Sequence, residues 1–250
     1  MTLSPDTDRP EPVWLHHGRL RLALHQLRAA TDPQARPLLV LHPLGTGSAR
    51  VAPASATAWT GAVHALDFSG HGMSDHARGG GYTAEILMGD ADAALAHLGE
   101  ATVLGAGLGA YIALLIAGAR PGVVRGAVLT DGPGLDGGGD RPGSPTILAA
   151  GGERMRGTSV EETPHAQPGP PAGASLVRLP DPWALVELAT DVRPPDYATT
   201  FVRQASQLSG LVEPIAVSCR HEPPWLAAVT QDPSVIIVRS IGEGLMRFAG

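Results

Sequence analysis

The turn at residues 105–109 has the spacing of a site for nucleophilic catalysis but lacks the nucleophile. Its residues, Gly-Ala-Gly-Leu-Gly, follow the apolar pair Val103 and Leu104 and precede an apolar run that extends to about Ala119. The pattern G-x-S-x-G presents a serine hydroxyl on a tight turn between a strand and a helix, where flanking glycines allow close packing. Here Gly107 stands at the serine position. The sequence therefore predicts no acyl-serine intermediate at this turn.

The same glycines fit a second chemistry, the binding of a dinucleotide. Gly105, Gly107 and Ala110 match the fingerprint G-x-G-x-x-G/A, and Asp131 ends the next apolar run at about the spacing of a ribose-binding acid. Such a fingerprint normally lies on the first strand of its domain, whereas about four predicted strands precede it here. This position favours the first interpretation and leaves the second one open.

Three further side chains are candidates for a base. His42 lies near the end of a predicted strand, and His71 and His221 lie in segments that follow predicted strands. General acid–base catalysis needs such a group within about 2.6 to 3.2 Å of the proton that it moves. The remaining histidines show no metal-ligand spacing, so no metal site is expected.

Strand and helix patterns alternate along the chain, which predicts a mostly parallel sheet with helices on both faces. Thr83 and Asp181 are predicted helix N-caps, and Pro182 fits the first position of a helix.

We expect residues 131–210 to contain a lid-like excursion, first rich in glycine and proline and then helical. The predicted strands are 19–28, 37–44, 62–68, one through 103–104, 126–130, 145–150, 215–219 and 235–239, and the predicted helices are 83–98, 108–119, 181–189, 194–208, 224–230 and 243–248.

Composition excludes several classes of protein. With 250 residues, 43% hydrophobic and 17% charged, the chain suits one α/β domain over residues 1–250 and is too short for two. A net charge of −6, with acids and bases interspersed, gives no basic patch and no expected nucleic acid partner. Cys219 is the only cysteine, which excludes an intrachain disulfide and a cysteine-rich zinc site. No cofactor is expected.

Nothing in the sequence suggests a membrane or an oxidising compartment. The N-terminal segment is polar, and no apolar run approaches the length of a membrane span. A cytoplasmic location is expected. The 32 glycines and 23 prolines are typical of a bacterial gene with high GC content. The expected partner is a small molecule or a protein, which includes a second copy of the chain.

Three motifs in a fixed order resemble those of the α/β-hydrolase superfamily. His42-Pro43-Leu44-Gly45 ends a predicted strand where that family has its H-G-x-G loop, and residues 67–74, Asp-Phe-Ser-Gly-His-Gly-Met-Ser, resemble its D-x-x-G-H-G-x-S segment. The turn around Gly107 follows as the third motif. The order is more specific than any single motif, and the resemblance extends over about residues 20–131. It implies an α/β fold of the hydrolase type.

The resemblance also implies an oxyanion hole made of two backbone amides. By position these are the N–H groups of Leu44 and Leu108, with His42 and Gly45 lining the pocket. The family's acid follows an earlier strand, and the candidates for it here are Asp131 and Glu222. The family's catalytic histidine follows the last strand, where residues 240–244 read Ser-Ile-Gly-Glu-Gly. Because both the serine and the histidine of the triad are missing, the resemblance implies a degenerate member.

Three functional hypotheses stay open at this point. The first is a non-catalytic homologue that keeps a pocket for a small ligand or a partner. The second is an active enzyme of this fold, a hydrolase or a lyase, in which His42, His71 or His221 acts as the base. The third is a dinucleotide-binding protein that uses the G-x-G-x-x-A run.

Overall fold

The computed structural model describes residues 11–139 and 179–249 of the chain. Its strands are β1 (Val13–His17), β2 (Leu20–Arg28), β3 (Leu38–Leu41), β4 (Val63–Leu66), β5 (Ala101–Ala106), β6 (Val124–Thr130), β7 (Ile215–Ser218) and β8 (Val235–Ile237). Its helices are α1 (Ala84–Leu98), α2 (Leu108–Ala119), α3 (Pro182–Thr190), α4 (Pro195–Leu208), α5 (Pro224–Val229) and α6 (Ile241–Arg247), with a 3₁₀ turn at Ala54–Ala56.

The eight strands form one sheet in the order β1-β2-β4-β3-β5-β6-β7-β8. β2 pairs antiparallel with both β1 and β4, and all the other pairings are parallel. The predicted fold class, a mostly parallel sheet of the hydrolase type, is confirmed. The carboxyl ends of β3 to β8 therefore meet at one edge, where their loops come together.

Helices cover both faces of the sheet because its central strands are apolar on both sides. In β5, Val103 packs into a larger core that includes α1, α2 and α4, whereas Leu104 packs into a smaller core on the other face. Leu245 of α6 and Ala56 of the 3₁₀ turn close that smaller core. Every residue of α2 from 108 to 118 is buried, so this helix lies at the centre of the fold.

Side-chain caps determine where three helices begin. Thr83 accepts a hydrogen bond from the Ile86 amide, and Asp181 accepts one from the Trp183 amide, as predicted for N-caps. Ser240 accepts a hydrogen bond from the Glu243 amide. As a result α6 begins at residue 241, two residues before its predicted start at 243.

Several predicted boundaries differ from the structure. The strand predicted at 37–44 ends at Leu41, because Pro43 has no N–H for a ladder. The strand predicted at 235–239 ends at Ile237, since the Arg239 amide donates to Glu243 instead. β1 was not predicted; its apolar residues Val13 and Trp14 remain partly exposed. The strand predicted at 145–150 lies outside the described residues, and α3 and α4 account for the described helices of the 131–210 excursion.

Candidate functional site

The turn between β5 and α2 has the geometry that its glycines permit. Gly107 adopts φ 57° and ψ −118°, a conformation that other residues reach only with strain. A Cβ at Gly105 would lie 2.1 Å from the carbonyl oxygen of Gly109, and a Cβ at Gly109 would lie 2.4 Å from that of Leu41. The flanking glycines are therefore needed for the close packing of β5, α2 and β3.

The segment after β6, residues 131–139, fills the space in which a side chain at position 107 would stand. We call this segment the β6 loop. A Cβ on Gly107 would lie 2.2 Å from the carbonyl oxygen of Pro133 and 2.6 Å from the carbonyl carbon of Gly132. These distances are far below van der Waals contact. A serine at position 107 would require the β6 loop to move.

The same carbonyl oxygen occupies the position expected for an oxyanion. The N–H groups of Leu44 and Leu108 each donate a hydrogen bond to the Pro133 oxygen, with both N···O distances at 3.0 Å. The two amides thus converge on one point, and their acceptor is the protein's own backbone. An oxyanion could bind there only by displacing the Pro133 carbonyl.

Two buried side chains hold the β6 loop in this position. The Arg193 guanidinium donates from Nη1 to the carbonyl oxygens of Gly134 and Leu135, the latter at 2.7 Å. The Trp225 indole donates from Nε1 to the Leu135 oxygen at 2.8 Å. The Leu135 side chain is itself buried in the larger core. The loop is therefore tied to α5 and to the segment between α3 and α4.

Arg193 is unusual because its guanidinium is buried without a salt bridge in the described part of the chain. Its side chain is 1% exposed and packs over the Tyr111 ring, 4.6 Å from the ring centroid. Burial lowers the pKa of Arg193 to about 10, which leaves it protonated at neutral pH. The two loop carbonyls supply most of its polar contacts. They stabilise the buried guanidinium charge, and the guanidinium in turn holds the loop in its conformation.

His42 is a structural residue of the loop after β3. Its Nδ1–H donates to the Pro43 carbonyl at 2.8 Å, and its Nε2 accepts from the Phe68 amide at 3.1 Å. Burial lowers the pKa of His42, so the imidazole is neutral. Both ring nitrogens are engaged by the backbone, which leaves no lone pair to serve as a base.

His71 is engaged in the same way on the loop after β4. Its Nδ1–H donates to the Ser69 carbonyl at 3.2 Å, and its Nε2 accepts from the Gly45 amide at 3.4 Å. Burial, with the nearby ring of His42, lowers the pKa of His71 to about 4. The two rings contact each other, with 5.1 Å between their centroids. His71 therefore joins the two loops that carry the first two motifs.

Residues 67–74 are organised around buried carboxylates. Asp67 accepts hydrogen bonds from the Ser48 amide at 2.6 Å, the Met73 amide at 2.8 Å and the His25 ring at 2.9 Å. Burial opposes ionisation of Asp67, yet these donors together hold its pKa below its usual range. The acid of the D-x-x-G-H-G-x-S segment thus fixes its loop rather than facing the Gly107 turn.

A second buried carboxylate, Asp90 of α1, anchors the same loop and the edge strand β1. It accepts from the Ser69 amide at 2.8 Å and from the Ser69 hydroxyl at 2.7 Å. The His17 Nδ1 lies 2.8 Å from its other oxygen. The hydrogen bond to Asp90 raises the pKa of His17, with burial acting in the opposite direction.

This pair predicts a pH-dependent contribution to stability. Because the folded-state pKa of His17 lies above its ordinary value of 6.5, the pair stabilises the fold fully below pH 6.5. This stabilisation is lost as the pH rises through the folded-state pKa. We expect the free energy of unfolding in urea, measured between about pH 5.5 and about pH 8.5, to fall more steeply for the wild type than for His17→Gln. His16→Gln, at an exposed neighbour, should keep the wild-type slope. Equal slopes for all three proteins would contradict the assignment.

The other candidate groups lie on the loops after β6 and β7. Asp131 accepts hydrogen bonds from the amides of Arg220 at 2.8 Å and His221 at 3.2 Å, and so stabilises the turn after β7. His221 Nε2 lies 2.6 Å from Asp136 Oδ1, and this hydrogen bond raises the pKa of His221. Both side chains of that pair are 62% exposed. Glu222 is exposed beside them.

The dinucleotide alternative requires open amides at the start of α2. Instead, the Gly107 amide donates to the Thr130 carbonyl and the Leu108 amide donates to Pro133. Asp131 is already engaged by two amides. The fingerprint also follows the fifth strand of a sheet whose order differs from the 3-2-1-4-5-6 arrangement of dinucleotide-binding folds. These contacts argue against a pyrophosphate at this helix.

Metal ligands do not cluster in the part of the chain that the structure describes: no group of three or more His, Cys, Asp or Glu side chains could hold an ion there. Among the same residues, no helix is both long enough and apolar enough to cross a membrane.

Sequence reasoning missed the residues that occupy and hold the site, namely Pro133, Arg193 and Trp225. The run Gly-Pro-Gly at 132–134, directly after a strand, was a signal for a tight turn. No local pattern indicates that its carbonyl reaches the amides of two other loops. Arg193 and Trp225 are distant in sequence and gave no signal of their contacts with that turn.

Comparison with known proteins agrees with this fold. The chain matches the model of the Alpha/beta hydrolase family over residues 38–248. A search of curated proteins finds no match. The fold is similar to that of a hypothetical protein from Pseudomonas aeruginosa PAO1, with 19% identity, coverage of 96% of this chain and 99% of that chain, and a TM-score of 0.61.

Two similar structures have names that state an activity. One is an N-formylmaleamic acid deformylase from Pseudomonas putida S16, with 16% identity, coverage of 92% of each chain and a TM-score of 0.58. The other is a haloalkane dehalogenase from Agrobacterium tumefaciens C58, with 17% identity, coverage of 92% of this chain and 88% of that chain, and a TM-score of 0.55. At these identities the similarity shows the fold alone.

Proposed function

This chain belongs to the alpha/beta hydrolase family, and we propose that it is a non-catalytic member that acts by binding a small ligand or a partner. The observation that carries the proposal is the Pro133 carbonyl, which accepts the N–H groups of both Leu44 and Leu108. Acyl transfer needs such donors at about 2.7 to 3.1 Å from a developing oxyanion. Here a backbone carbonyl already satisfies them, beside a turn that has no nucleophile.

The connection between β8 and α6 supports the same proposal. It consists of residues 238–240, and Ser240 caps the helix that follows. A loop of this length carries no histidine back toward the Gly107 turn. His42 and His71, on the loops after β3 and β4, have both ring nitrogens engaged by the backbone. Among the described residues, no serine–histidine pair of the kind that activates a nucleophile is therefore assembled at the turn.

The proposal is tested with activated acyl esters and with a fluorophosphonate probe. We expect no burst of product with p-nitrophenyl acetate or butyrate, and a rate within about twofold of that of the heat-denatured protein, because no acyl-enzyme forms. The probe should leave the intact mass unchanged. Stoichiometric labelling of any serine would overturn the proposal.

A second candidate function is catalysis by a displaced base, and the His221–Asp136 pair favours it. A carboxylate 2.6 Å from Nε2 orients the ring and raises its basicity, as in acid–histidine pairs of enzymes. If this pair acts as a base, turnover of an ester or another activated substrate should be lost in His221→Ala and kept in His16→Ala. Absence of turnover in the wild type, or equal rates in both variants, would exclude this role for the assayed substrates.

A further inference from the structure

A cavity of about 370 Å³ lies at the carboxyl ends of β6, β7 and β8, and neither Gly107 nor Pro133 lines it. Its volume is at the lower end of the range of small-molecule sites, about 300 to 1,000 Å³. Ligands of α/β folds bind at this edge of the sheet. The polar side chains that line it are Thr130, Asp131, Ser218, Cys219, Arg220, Arg239 and Ser240.

Within the described residues, the short connection after β8 explains why this space is open. The Val238 amide donates to the Val217 carbonyl, so the chain still follows β7 at this point. Two residues later Ser240 caps α6. No long loop between β8 and α6 folds back over the ends of β6 and β7. The short connection between β8 and α6 therefore accounts both for the cavity and for the missing histidine loop of the family.

The acidic and basic groups at the cavity differ in their hydrogen-bond partners. Asp131 accepts two backbone amides, and Glu243, on α6, accepts the Arg239 amide at 3.0 Å. Glu222 is exposed on the loop that follows β7. Arg220 and Arg239 are also exposed, and within residues 11–139 and 179–249 neither guanidinium forms a hydrogen bond or an ion pair. Among the described residues, the cavity therefore offers two guanidinium groups without a partner. The carboxylate that lines it, Asp131, keeps its charge but is held by two backbone amides.

We propose that this cavity binds a small organic anion, with Arg220 and Arg239 recognising its carboxylate or phosphate group. A planar guanidinium matches either group with two parallel hydrogen bonds. Val238 and Ile241 line the same cavity and contact the carbon skeleton of the ligand. The proposal rests on the proposed function in one respect, namely that the chain acts by binding.

The first test is calorimetric titration of the full chain at constant ionic strength with succinate, benzoate, inorganic phosphate and phenyl phosphate, and with ethylammonium as the cationic control. We expect saturable binding of at least one anion, with a Kd of about 1 mM or below, and none of ethylammonium. The carboxylate and phosphate arms identify which head group is preferred. Arg220→Met and Arg239→Met should each raise the Kd about tenfold. Arg203→Met, at an exposed arginine of α4, should leave it unchanged.

The second test uses Cys219, the only cysteine of the chain, as a reporter inside the cavity. Burial, with Asp131 and Glu222 nearby, raises the pKa of this thiol to about 12, so alkylation by iodoacetamide is slow and its rate is easily measured. A saturating anion should slow alkylation at least about fivefold in the wild type and in Arg203→Met, and not in the double variant of Arg220 and Arg239.

Two outcomes would overturn the anion site. One is the absence of saturable binding of all four anions, and the other is binding that neither protects Cys219 nor weakens in the arginine variants. The ester and probe assays do not involve this cavity. If no anion binds, the non-catalytic proposal is therefore unaffected. If the ester and probe assays detect an acyl-enzyme, the titration still tests whether the cavity binds anions.

Discussion

Replacing Gly107 by serine is expected to destabilise the protein and to give no esterase activity. The new Cβ would meet the Pro133 oxygen at 2.2 Å and would adopt φ 57° and ψ −118°. Overpacking costs about 1 to 3 kcal/mol and backbone strain of this kind about 1 to 3 kcal/mol, so the free energy of unfolding should fall by about 2 to 6 kcal/mol. Urea unfolding and the p-nitrophenyl ester assay measure the two effects.

Two control variants separate the backbone effect from the hydroxyl group. Gly107→Ala adds the same Cβ and should destabilise to the same degree. Gly122→Ala adds a Cβ with no atom within 4 Å and should stay within about 0.5 kcal/mol of the wild type. If Gly107→Ser instead unfolds like the wild type, the β6 loop moves away easily. If it also hydrolyses esters, a base already faces the turn and the non-catalytic proposal is wrong.

Replacing Arg193 by methionine should release the Pro133 carbonyl from the two amides. The variant keeps most of the buried volume but removes the donors to the Gly134 and Leu135 carbonyls. Each lost hydrogen bond to a buried group costs about 1 to 3 kcal/mol. Amide hydrogen exchange at Leu44 and Leu108, resolved by NMR, should therefore become roughly tenfold faster or more.

The matched control is Arg125→Met, because Arg125 also donates to a backbone carbonyl, that of Ser209 at 2.9 Å, but does not touch the β6 loop. It should leave exchange at Leu44 and Leu108 unchanged. The Val103 amide, in the central strand β5, reports global unfolding in both variants. Unchanged exchange at Leu44 and Leu108 in Arg193→Met would show that Trp225 and the buried Leu135 are enough to hold the loop.

The parts of the fold that the sequence predicted depend on short-range patterns. Each of these patterns involves only residues that are close in sequence. Examples are the continuous apolar run of β5, the caps Thr83 and Asp181, and the glycines at 105 and 109. β1 was missed because Val13 and Trp14 are both apolar and both exposed. The strand therefore lacks the alternation of apolar and polar residues that a half-buried strand normally shows.

The sequence by itself determined that the turn at Gly107 carries no nucleophile and that no histidine follows the last strand. It also predicted that three motifs lie at the ends of strands in a mostly parallel sheet. It left His42, His71 and His221 as candidate bases. Only the tertiary structure decided that the first two are engaged by the backbone and the third pairs with Asp136. It also decided that Pro133 occupies the two-amide site. The physical reason is that a backbone carbonyl has no side-chain signature. Its choice of donors depends on how distant loops pack at the sheet edge, and residue spacing does not encode that packing.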